Sequence, residues 1–228
     1  MPSDPLVSYR EGAALLEAYG IPLAPARLVN TAYEAALAAS ALGFPVALKA
    51  IAPELTHKSD AGLVRLNLDT AVGVRDTALA LLHATAQHEL EGLLVQRMAP
   101  AGVEMLVGLT ADATFGPVLA LGSGGVLVEL LDDVVLRLPP LTPSQAAAML
   151  RETRSWRLLQ GFRGGPPASV AALVELLMQL SRLAVEQAAR LLSLDLNPVI
   201  VLPDGQGVQV VDFRLTLRVP GHTSSLDV

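Results

Sequence analysis

Four polar residues late in the chain have types and spacing that suit chemistry. Asp195 and Asn197 lie in "LDLNPV", and Asp212 and Arg214 lie in "VVDFRL", all embedded among Leu, Val and Ile. A spacing of two puts the members of each pair on one face of a strand. The turn sequence "PDGQG" between the two stretches predicts a hairpin. Pairing the strands would then gather oxygen ligands and a cation on one patch of an apolar sheet. Such oxygen donors suit a Mg²⁺ that also touches phosphates. The same pattern describes the polar outer face of an ordinary amphipathic hairpin, and the residues alone leave both readings open.

Lys49 in "FPVALKAI" is a lone cation inside an apolar run. Burying an ammonium is costly unless it meets an anion, so Lys49 is either a phosphate contact or a side chain that reaches solvent from a strand end. Directly after it comes "APELTHKSDAGLV", too polar for a core and too punctuated for a helix. His57 there is followed by Lys58, Ser59, Asp60 and Gly62. A histidine among such neighbours can accept a phosphoryl group, or it is an ordinary solvated loop histidine. His83 and His88 are five apart on a predicted helix, which points them to different faces, and His222 is in the tail. The Gly-rich "LGSGGVLVE" is neither a Walker loop nor a dinucleotide fingerprint; its glycines let a backbone approach phosphate or simply make a turn.

Composition narrows the partners. Of 228 residues, 52% are hydrophobic and 17% charged, with a formal net charge of −6 and no cysteine. The acidic balance argues against nucleic acid, and the absence of Cys excludes disulfides, thiolate nucleophiles and Cys-based zinc sites. The start "MPSDPLVSYREG" has no apolar stretch of the kind that targets secretion, and the most apolar run, "FGPVLALGSGGVLVELL", is broken by glycines and carries Glu129. The expectation is a globular cytoplasmic chain with no membrane span. Its low charge suggests that part of its apolar surface is covered by a partner chain.

Helical periodicity marks "VSYREGAALLEAYG", "TAYEAALAASALG" capped by Thr31, "TAVGVRDTALALLHATAQHEL", "TPSQAAAMLRE" capped by Thr142, and the long "VAALVELLMQLSRLAVEQAARLL". Strands are predicted at "FPVALKAI", "LVRLNL", "EGLLVQRM", "GVEMLVGLTAD" and "FGPVLALGSG", at two places in "VLVELLDDVVLRLPPLT", and in the final hairpin. "QGFRGGPPAS" reads as a loop. The order predicts an α+β fold with two subdomains and a cleft between them.

Together these stretches resemble the ATP-grasp (beta) subunit of ADP-forming acyl-CoA synthetases, the acetate–CoA ligase (ADP-forming) family, and more distantly succinyl-CoA synthetase beta. The resemblance is carried by "LLEAYGIPL", "GFPVALKAIAPELTHKSDAGLV", "GLLVQRMAPAGVEMLVGLTADATFGPVLALGSGGVLVELLDDVVLRLPPLT", "LLQGFRGGPPAS" and "LDLNPVIV" with "VVDFRL", from about Leu15 to Leu215. It implies one ATP-grasp domain over 1–228. A smaller, lid-like subdomain at about 20–95 would carry Lys49 and the His57 loop. A larger one would take about 96–217 and the N-terminal helix.

The resemblance also implies roles. Lys49 would reach the phosphates of ATP or ADP. Backbone groups of Gln96, Arg97 and Met98 would read the adenine, and Glu104 would hold the ribose hydroxyls. Asn197 and Asp212, with Asp195, would hold Mg²⁺, Arg214 is the basic residue after the metal aspartate, and His57 would carry a phosphoryl group to ADP. The implied reaction is acyl-CoA + ADP + phosphate to carboxylic acid + ATP + CoA, with the acyl-CoA chemistry on a CoA-binding alpha subunit. The sequence departs from the family pattern at Leu63, where a second glycine is usual, at Arg97, where Glu is usual, and at Ala13, where Lys is frequent. Leu63 and Arg97 favour an alternative, a catalytically impaired regulatory subunit like the acetyltransferase-associated relatives. A standalone ligase joining a carboxylate to an amine is a further alternative that leaves His57 unused.

Overall fold

A computed structural model describes residues 6–52, 62–124 and 133–218. Contacts divide the chain into two units: Ser8–Glu11 with Ala24–Ala99, and Met1–Val7 with Gly12–Leu23 and Pro100–Val228. The first helix, α1 (Tyr9–Ala18), ends before Gly20, whose φ of 77° is the left-handed conformation expected at a helix terminus.

The unit containing residues 24–99 is an antiparallel sheet covered by two helices. Its strands β1 (Ala26–Val29), β2 (Val46–Ile51), β3 (Val64–Leu68) and β4 (Gly92–Arg97) run in the order β1-β4-β2-β3. Helix α2 (Ala32–Leu42) begins in a capping box: the Thr31 hydroxyl accepts from the Glu34 N–H, and the Glu34 carboxylate accepts from the Thr31 N–H. Ala35, Ala38 and Ala39 of α2 join Val74, Ala78 and Leu81 of α3 (Ala71–Ala84) over Val46, Leu48 and Ala50 of β2 and Leu93 and Val95 of β4. The pattern predicts that α3 runs on toward Leu90, but it stops at Ala84. The hydroxyl and N–H of Thr85 both bond the Leu81 carbonyl, and "TAQHEL" supplies no apolar face to continue.

The other unit has a sheet in the order β10-β8-β5-β6-β7, with β9 beside β8. Its strands are β5 (Val103–Asp112), β6 (Gly116–Ser123), β7 (Val134–Arg137), β8 (Leu191–Val201), β9 (Val208–Val210) and β10 (Phe213–Leu217). Helices α4 (Pro143–Glu152), α5 (Trp156–Leu159) and α6 (Val170–Glu186) complete it. Thr142 and Gln145 form the capping box of α4, with Pro143 in its first turn. Leu173, Leu176, Leu177, Leu180 and Leu183 of α6 lie in one core with Met105, Val107, Leu119, Leu121, Leu194 and Leu196 of the sheet. Each leucine so buried contributes about 1.5–3 kcal/mol. Two strand predictions for "VLVELLDDVVLRLPPLT" resolve into β7 alone among the described residues, because 125–132 lie outside them.

The predicted final hairpin is more divided than its sequence implies. Its second strand is two pieces, β9 and β10, both paired with β8 and separated at Val211 and Asp212. There the Val211 N–H bonds the Pro198 carbonyl, and the Asn197 N–H bonds the Asp212 carbonyl at 3.2 Å. Among the described residues no helix is long and apolar enough to cross a membrane.

Candidate functional site

The sequence-predicted residues fall into two groups, one in each unit, and one lies elsewhere: His57 is outside the described residues. In the smaller unit, Lys49 is in the body of β2, opposite Val64 of β3 and Leu94 of β4, and it is only 4% exposed. The reading in which Lys49 reaches solvent from a strand end therefore fails. Alternation places Lys49 with Ala47 and Ile51 on the sheet face turned away from α2 and α3. Gln96 pairs with Ala47, so it shares that face, and it is buried too.

At the end of β4 the backbone is partly committed. The Arg97 N–H donates to the Pro25 carbonyl at 2.9 Å and the Met98 N–H to the Pro45 carbonyl at 3.1 Å. A base reader built on these two residues would therefore work through their carbonyl oxygens rather than these N–H groups. Arg97 is exposed and Met98 half-buried. Leu63 is buried in the core with Val46, Leu48 and Val74, and its carbonyl accepts from the Ala50 N–H. The extra side chain at this position fills the core.

The second group lies on the sheet of the larger unit. Asp195 of β8 is directly opposite Arg214 of β10. On its other side Asp195 pairs with Gly108 of β5, which pairs with Ala120 of β6, which pairs with Leu136 of β7. This cross-strand row belongs to the face opposite the buried leucines, since Leu194 and Leu196 flank Asp195 on the core side. Asn197 and Asp212 are joined through the backbone bond already described, and the Asp212 carboxylate accepts the Phe213 N–H at 3.0 Å. Asp195 is exposed as a residue, but the partial desolvation of its carboxyl on the sheet raises it from its ordinary value; Arg214 pulls it down and the negative Asp212 pushes it up. Two carboxylates that feel each other, beside an amide oxygen, are a donor set that a hard divalent cation relieves and fits. Among the described residues no cluster of three or more His, Cys, Asp or Glu could hold a metal, so a cation here would depend on the Asn197 oxygen and on ligands from outside the chain.

Glu104 is exposed at the start of β5, opposite Ile200 of β8. Its carbonyl accepts the Gly124 N–H at 2.9 Å. Beside it opens a cavity of about 590 Å³, lined by Val103, Glu104, Gly124, Leu158, Phe162 and Pro166 among others. The sequence reading missed this cavity and α5, which supplies one of its walls. A four-residue helix is too short to give a periodic signal.

The geometry thus gives a buried lysine on one sheet and a carboxylate–amide–guanidinium patch on the other. The model of the ATP-grasp domain family matches residues 4–217. The chain belongs to this ATP-grasp family. Over 93% of this ATP-grasp chain and 92% of the relative, it is 36% identical to the acetate–CoA ligase [ADP-forming] II subunit beta of Pyrococcus furiosus. It is 41% identical to acetate–CoA ligase [ADP-forming] I of Archaeoglobus fulgidus over 91% of the chain, but spans 30% of that relative's length. Among solved structures, acetyl-coenzyme A synthetase 1 of Ca. Korarchaeum cryptofilum with coenzyme A and Ca-AMPCP superposes with a TM-score of 0.88 at 38% identity, covering 94% of both chains. Another structure of that protein, with coenzyme A and Mg-AMPPCP, has its phosphohistidine segment pointing towards the nucleotide binding site; it matches at a TM-score of 0.81 and 38% identity, covering 94% of this chain and 93% of that one.

Proposed function

We propose that this ATP-grasp chain is the nucleotide-binding, phosphoryl-transferring subunit of an ADP-forming acyl-CoA synthetase. It would act with a CoA-binding alpha subunit, converting acyl-CoA, ADP and phosphate to the acid, ATP and CoA. The observation that carries the reading is the match to a Pyrococcus beta subunit over nearly the full length of both chains. The phosphohistidine segment of the Korarchaeum synthetase supports His57 as the residue that carries the phosphoryl group.

In this reading Lys49, buried on β2, neutralises nucleotide phosphates, and Glu104 accepts hydrogen bonds from the ribose hydroxyls. Asp195, Asn197 and Asp212 would hold Mg²⁺, which when bound supplies charge neutralisation on the phosphates. Arg214, opposite Asp195, opposes the rise of that carboxyl and adds positive charge to the patch. The His57 imidazole attacks phosphorus with its nitrogen lone pair; the bond from phosphorus to the departing oxygen breaks and the electron pair leaves with that oxygen. Transfer to ADP reverses this at the β-phosphate oxygen. The packing of Leu63 in the core gives that departure from the family pattern a structural role, which removes it as support for the regulatory alternative.

The test is transfer of label from γ-³²P ATP with Mg²⁺ to the wild type beside His57→Ala, with and without a CoA-binding alpha subunit from a relative. Acid-labile, base-stable label on the wild type and none on the variant is the expected result. Equal labelling of both, or none on the wild type with the partner present, would overturn the phosphohistidine role.

A further inference from the structure

A second polar cluster stands apart from the metal patch. The Ser123 hydroxyl, at the end of β6, donates to the Asp133 carboxylate at 2.6 Å. The same hydroxyl oxygen is 2.6 Å from the Ser155 hydroxyl. Because the Ser123 proton already points to Asp133, the Ser155 hydroxyl must be the donor in that second bond. Both serines are buried, at 3% and 2% exposure. The Asp133 carboxylate also accepts the Arg154 N–H, at 3.0 and 2.9 Å to its two oxygens. One carboxylate therefore anchors three separate segments: the end of β6, the approach to β7 and the turn between α4 and α5.

Two of these segments, the end of β6 and the turn between α4 and α5, lead to the cavity beside Glu104. Gly124 follows Ser123 and donates its N–H to the Glu104 carbonyl. A Cβ at Gly124 would lie 2.7 Å from backbone atoms of Glu104 and Met105, so the two backbones are in direct contact. On the other side, the Ser155 carbonyl accepts the N–H groups of Leu158 and Leu159, which closes the turn of α5, and the Leu158 carbonyl accepts the Gly161 N–H just before Phe162. Gly124, Glu104, Leu158 and Phe162 all line the cavity.

We infer that Asp133, through Ser123 and Ser155, is the positioning residue for the nucleoside end of the site: it fixes the Gly124–Glu104 wall of the cavity against the Leu158–Phe162 wall. The inference rests on the proposed nucleotide-binding role, and it adds a residue that touches no ligand. Removing the carboxylate leaves a buried hydroxyl chain without its terminal acceptor and frees the two walls to separate. Asn at this position keeps the chain, because its oxygen, in the place of the one that Ser123 meets, still accepts from both the Ser123 hydroxyl and the Arg154 N–H.

The experiment is calorimetric titration of the full chain with Mg·ADP, for wild type, Asp133→Ala, Asp133→Asn, Ser123→Ala and Glu104→Gln, with folding checked by circular dichroism. Asp133→Ala and Ser123→Ala are expected to weaken binding about tenfold, and Asp133→Asn less than about threefold, which corresponds to loss and partial retention of one well-oriented contact. Wild-type affinity in both alanine variants would overturn the inference alone. So would a loss in Asp133→Asn equal to that in Asp133→Ala, since that would assign the effect to charge. If Asp133→Ala does not fold, Ser123→Ala decides, and if neither folds the cluster serves the fold and the inference fails. No binding by the wild type, or full binding by Glu104→Gln, would instead count against the nucleotide reading on which it rests.

Discussion

Asp195 of β8 and Arg214 of β10 occupy opposite positions in one antiparallel pair, with partial desolvation raising the carboxyl and the guanidinium opposing that rise. A carboxyl whose folded pKa exceeds its unfolded value, about 3.9, binds protons more tightly in the native state. The native state is then penalised as pH climbs through the window above 3.9, and the penalty is fully present beyond the folded pKa. Asp195→Asn removes the ionisation. In the absence of divalent metal the variant should melt above the wild type at pH 7, and the difference should vanish as pH falls below about 4. Thermal melts across that range check it; a wild type that melts higher at neutral pH would contradict the sign. Added Mg²⁺ should raise the wild type and leave the variant where it is.

Lys49 gives a prediction about affinity. Replacing it with Met keeps the apolar stem and removes the charge. Mg·ADP binding should weaken roughly ten- to hundredfold, the range for losing a hydrogen bond to a charged group. Titration calorimetry against the wild type measures this, and unchanged affinity would remove Lys49 from the nucleotide site.

Gly124→Ala tests the contact with β5. The added methyl would meet three backbone atoms of Glu104 and Met105 at 2.7 Å, and backbone does not yield as a flexible side chain does. The expected cost is about 1–3 kcal/mol, seen as a melting point lower by roughly 2–4 °C for each kcal/mol.

Tyr19 supplies a control whose hydroxyl meets none of the candidate ligands. Its hydroxyl donates to the Glu186 carboxylate at 2.8 Å and accepts from the Gln187 amide at 3.0 Å. Tyr19→Phe should cost about 1 kcal/mol in urea unfolding and leave ADP affinity unchanged.

The sequence made some of this legible and hid the rest for physical reasons. Thr31 with Glu34 and Thr142 with Gln145 announce helix starts because a capping box is local, and both are present. Lys49 stands out because a charge in an apolar run has few explanations. The interruption between β9 and β10 escapes, since Val211 and Asp212 look like strand residues until Pro198 and Asn197 claim their backbone groups. Ser123, Asp133 and Ser155 escape altogether. Ser123 reads as the end of a strand, Asp133 as a break between strands and Ser155 as nothing in particular, and only the fold brings the three together.

The contacts at Gly122 and Gly124 bear on how substitutions among relatives should be interpreted. A Cβ at Gly122 would lie 2.7 Å from the Asp133 carbonyl, as one at Gly124 would from β5. Selection would hold both positions to glycine even in a relative that had abandoned catalysis, because the constraint is steric and belongs to the sheet. Glycine at 122 and 124 in a relative would therefore diagnose an intact scaffold, and under the proposed function the variation that distinguishes a working relative from a silent one should be sought at Lys49, Asp195, Asn197 and Asp212 instead.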